Sequence, residues 1–173
     1  MSKKSIFCIA TSRDQAEQIV DCLRAAKFSN HDVAVLFLDK STSHAAAHEQ
    51  NHGALGWLTG IGPLAIPGAG PFIVAGPIIA AAAVSAVGGI TRGLIGLGLS
   101  EPDARNYDGQ VNAGHILISV HSDHWGEIPQ SKDIFTKAGA HHICTAGDSA
   151  VKDRLPHQRV THAVDPALRA TRA

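Results

Sequence analysis

Apolar residues fall along this chain in two rhythms that alternate. Residues 5–10 (SIFCIA) form a short, partly β-branched run and predict a buried strand. Ser12 then offers an N-cap oxygen, with Gln15 three residues on, the spacing of a capping box. Ala16, Ile19, Leu23 and Ala26 follow at helical spacing and mark a buried helix face, and Asn30 breaks the pattern. Residues 32–38 (DVAVLFL) make a second strand, too apolar to meet water on both faces. The same order returns later. Residues 114–121 (GHILISVH) predict a strand, and Ser122 or Asp123 can cap a helix holding Ile128, Ile134, Phe135 and Ala138. Pro129 falls in the first turns of that helix, Gly139 closes it as C′, and residues 141–146 (HHICTA) form a closing strand.

Two strand–helix–strand units in tandem predict an α+β fold, a ferredoxin-like βαββαβ domain. Each helix is expected on one face of a four-stranded antiparallel sheet, with the first and last strands as neighbours. Ser100 caps a further short helix, with Glu101 and Asp103 beside Pro102 in its first turn and Ala104, Tyr107 and Val111 on one face. The expected organisation is one domain over residues 1–150, with residues 43–110 inserted between its second and third strands. The tail, 151–173, has Pro156, Pro166 and weak periodicity, and is expected to be only partly ordered.

The insertion has its own character. Between Glu49 and Arg92 there is no Asp, Glu, Lys or Arg, a span of 42 residues that also holds Pro63, Pro67, Pro71 and Pro77. The sequence reads there as a long glycine- and alanine-rich helical hairpin. Its first helix starts from Ser43 and ends at Pro63 and Pro67. The turn is GPLAIPGAGPF, and the second helix runs from about residue 77 to 99. Ala81, Ser85, Gly89 and Gly93 are spaced by four, and Gly56 and Gly60 repeat the pattern. Small residues at this spacing let helix backbones approach closely. Each glycine costs a helix interior about 1 kcal/mol against alanine, so packing must offset the loss.

These six positions are the expected assembly residues, and the expected partner is a second copy of the chain. Membrane lipid is the alternative partner, motivated by Trp57, Phe72 and the apolar helices. The second helix, at 1.5 Å per residue about 34 Å long, would cross a bilayer, but the first is too short before its prolines. Both flanks must meet in one sheet, so both helices cross or neither does.

Composition narrows the classes further. Fifteen basic residues balance fifteen acidic ones, so nucleic acid is not an expected partner. The apolar run near the start is too short for a signal peptide, and three sparse cysteines suit a reducing compartment, so the expectation is a cytoplasmic protein. Cys8 and Cys144 lie on strands expected to be neighbours and read as buried thiols. Eleven histidines are many for this length. His44, His48 and His52 share one helix face and are the weak metal candidates, while a solvent-exposed polar face is the simpler reading of them. His121, Asp123 and His124, with His141 and His142, read as polar loop and edge residues around the second unit. GPLAIPGAGPF lacks a following Lys-Ser/Thr, and GLIGLG does not open a helix after a strand, so neither is a phosphate-binding loop. No catalytic residue and no cofactor site is expected.

The order of a βαβ unit, GALGWLTGIGPLAIPGAGPFIVAGPIIAAAAV, then GLIGLGLSEPDARNYDGQVNAGHILISV and a second βαβ unit is similar to the bacterial general stress protein 17M-like family. The resemblance covers about residues 5–146. Leu99, Glu101, Ala104, Tyr107 and Gly114 carry its most specific part, an I/L-P-E-like cap after a glycine-rich helix, then Ala, Tyr, Gly and a strand. It implies a stress-associated bacterial protein without established catalytic residues. The histidine content and the basic tail depart from the family pattern. Three functions are therefore in view: a non-enzymatic stress-associated protein that self-assembles through its hairpin, a membrane-associated protein, or a small-ligand or metal sensor.

Overall fold

The computed structural model describes residues 4–38, 57–58, 62–66, 70–76 and 89–146. In chain order these form β1 (Lys4–Ala10), α1 (Arg13–Ala25), β2 (Val33–Leu38), β3 (Gly62–Ile66), β4 (Gly70–Ala75), α2 (Gly89–Gly96), α3 (Glu101–Asn112), β5 (Ile116–Ser122), α4 (Glu127–Lys137) and β6 (His141–Thr145). The fold is α+β. Its strands join in one antiparallel sheet, ordered β3-β4-β2-β5-β1-β6.

The flanking units form as their patterns dictate. Ser12 caps α1, its hydroxyl accepting from the Gln15 N–H at 3.2 Å, and the Gln15 side chain accepts in turn from the Thr11 N–H at 2.8 Å. Ala16, Ile19, Val20 and Leu23 are the buried face of α1. Gly139, at φ +71°, closes α4 as expected, with its N–H on the Thr136 carbonyl and the Ala140 N–H on that of Phe135. Ser122 does not cap α4. It accepts from the His124 N–H and contacts the Glu127 carboxylate, organising the loop before the helix, while Gly126 occupies the N-cap position.

The insertion departs from the helical-hairpin expectation. GPLAI and the opening GPF of GPFIVA, read in the sequence as part of a turn, belong to paired strands that lengthen the sheet to six. The physical reason lies in where their apolar side chains go. Phe72 and Val74 join a core with Phe7, Ile9, Ala34, Leu36 and Leu117, and a helix–helix turn would leave them in water. The helix expected over 77–99 is described from Gly89 to Gly96 only. The helix expected to start at Ser43 lies outside the described residues, apart from Trp57 and Leu58 at its expected end.

Two hydrophobic layers result, one on each face of the sheet. On one face α1 and α4 cover Ile6, Cys8, Val33, Val35, Ala75, Ile118 and Val120, joined by Leu58. On the other, α2 and α3 cover the alternate residues of the same strands. The second layer is the insertion's contribution. Ile90 and Leu94 of α2 are almost wholly buried there, and each contributes about 1.5–3 kcal/mol. That outweighs the roughly 1 kcal/mol that Gly93 costs the same helix. The Thr91 hydroxyl donates to Asp108 at 2.6 Å and locks α2 to α3.

Candidate functional site

Of the small-residue positions expected to drive assembly, Gly56, Gly60, Ala81 and Ser85 lie outside the described residues, as do His44, His48 and His52. The other two occupy different environments. Gly93 is buried within α2, in the layer that covers the chain's own sheet. Gly89 is the first described residue of that helix, at φ +72°, and among the described residues a Cβ added there meets nothing within 4 Å. A larger residue at Gly89 is therefore resisted by the left-handed backbone. The aromatics that motivate a lipid contact are used inside the protein. Phe72 is fully buried, and Trp57 is half-buried against the α1–α4 core, its carbonyl accepting from Asn30 at 3.4 Å. Among the described residues no helix is long and apolar enough to cross a membrane.

The two edges of the sheet are built unlike its centre. On the β3 side, Ala65 lies opposite Pro71 and Pro63 opposite Ile73. Proline has no N–H, so the Ala65–Pro71 pair is of the non-hydrogen-bonded kind, and alternation makes the Pro63–Ile73 pair the same. Residues in such pairs turn their N–H and C=O away from the partner strand. On terminal β3 that direction is the outer edge, where Pro63 removes a donor. On the β6 side, Phe7 pairs with Cys144 but Ile9 with His141, so one extra residue bulges opposite Cys8. His142 takes φ +51° within the bulge. Neither edge is a smooth template for another strand.

The bulge is held from above by α3. The Tyr107 hydroxyl donates to the His142 carbonyl and lies 3.4 Å from the Phe7 carbonyl. The Asn106 amide and the His142 ring meet at 3.1 Å on the outside of the same junction. Asp103 accepts from the Ser100 hydroxyl at 2.7 Å, and the Cys144 thiol points toward it at 3.8 Å. Burial pushes the Tyr107 phenol well above its ordinary value, helped by the neighbouring Cys144, Cys8 and Asp103. The phenol is therefore a proton donor that stays protonated. Burial likewise pushes the Cys8 thiol up. Cys8 and Cys144 sit on adjacent strands as expected, but Cys8 faces the α1–α4 layer and Cys144 the α2–α3 layer, so the two thiols are not brought together.

A second polar group, His121, contradicts its expected place in a polar loop. It is 6 % exposed and lies on β5, directly opposite Ser5 of β1. The Ser5 hydroxyl meets its Nδ1 at 2.7 Å and the Ser119 hydroxyl its Nε2 at 2.9 Å. The Phe7 ring stands edge-on to it at 5.9 Å. Each hydroxyl can donate or accept, so either imidazole tautomer is satisfied. With Ser5 at 5 % and Ser119 at 0 % exposure, the trio fits a packing role: a nucleophilic serine must reach a substrate. His124, beyond the strand, is exposed, and so are His141 and His142 on the edge. Among the described residues no three His, Cys, Asp or Glu side chains are grouped to hold a metal.

Sequence reasoning missed both His121 and the Tyr107 junction, although the parity of β5 contained a signal. Leu117, Ser119 and His121 alternate with Ile116, Ile118 and Val120, so a strand covered on both faces must bury its polar set as well. No protein-family model, no curated protein and no solved structure matches this chain.

Proposed function

We propose that this chain is a non-enzymatic, cytoplasmic, stress-associated protein that assembles with copies of itself through its charge-free segment. The observation that carries the reading is the 42-residue run without charge, 50–91, with small residues spaced by four along it. Both faces of β2, β5 and β1 already have helical covers, and both edges of the sheet carry features that discourage strand addition. That directs assembly toward the uncharged segment around Ala81 and Ser85. The inner strand order β2-β5-β1-β6 supports reading the two βαβ units as ferredoxin-like, with β3, β4, α2 and α3 supplied by the insertion.

Ser85→Glu tests the assembly, because it places a single charge in the uncharged run. Sedimentation velocity of the untagged variant is expected to show the 18.1 kDa protomer, with an unchanged far-ultraviolet circular dichroism spectrum. A folded variant that assembles like wild type overturns the proposal. Retention of wild type with membranes after a carbonate wash replaces the protein partner by lipid.

A further inference from the structure

We draw no further inference here: the strongest candidate, the exposed Trp125 ring beneath the Lys4 ammonium on the loop between β5 and α4, is a single apolar side chain, and nothing in the structure shows what covers it.

Discussion

Tyr107→Phe removes one oxygen from the junction between α3 and the β6 bulge and leaves the ring in place. The side chain is 1 % exposed and its ring packs 6.1 Å from that of Phe7, so the packing survives the change. The lost contacts are those to the His142 and Phe7 carbonyls. The first matters more, because the bulge takes the His142 carbonyl out of the regular ladder. A buried acceptor left without its donor costs about 1–3 kcal/mol. For a chain of this length each kcal/mol lowers Tm by about 2–4 °C, so the expected fall is roughly 2–12 °C by calorimetry.

The pH dependence sharpens the test. The folded-state phenol lies above its ordinary value of 10.0, so above that pH the unfolded chain loses this proton first and the native state binds more protons. The stability this group contributes is fully present below about pH 10 and is lost as pH rises further. The Phe variant lacks the term. The gap in unfolding free energy between wild type and variant, read from urea titrations, should therefore narrow between about pH 9 and pH 11. Cys8, also pushed up by burial, weakens both proteins on the alkaline side and cancels from the difference. A variant with wild-type Tm, or a gap that does not change with pH, refutes the account of the junction.

Two glycines should separate by cause. A Cβ on Gly76, at φ +79°, would lie 2.1 Å from the Val33 carbonyl oxygen, so Gly76→Ala is expected to lose at least about 2 kcal/mol in urea unfolding. Gly89→Ala meets no described neighbour and should lose only the roughly 1 kcal/mol of left-handed backbone strain; equal losses would contradict this reading. His121→Leu leaves the Ser5 and Ser119 hydroxyls without their ring partner and should cost about 2–4 kcal/mol in thermal or urea unfolding. Its effect on assembly should be no larger than its effect on folding, and selective loss of assembly in a stably folded His121→Leu protein would show a role beyond packing.

The flanks were legible because local signals and burial agree there. Ser12 and Ser100 cap the helices expected of them, Gly139 closes its helix, and Ala104, Tyr107 and Val111 form the buried face of α3. The insertion was misread between 62 and 75 because its prolines and glycines are equally compatible with a helix–helix turn and with a hairpin at a sheet edge. What decides is tertiary: Phe72 and Val74 have a place under α2 and α3 only if the chain there is extended. His121 was misread for a related reason. Its polarity suggests a loop, and only the register against Ser5 shows a partner 116 residues away. Of the expected assembly stripe only Gly89 and Gly93 lie among the described residues, and they differ: Gly89 has a left-handed backbone and Gly93 is buried.

The central claim, self-association through the uncharged segment, is tested most directly by size-exclusion chromatography with light scattering on the untagged full chain in detergent-free buffer. The account predicts a discrete species at a multiple of 18.1 kDa. A monodisperse, soluble particle of 18.1 kDa contradicts it.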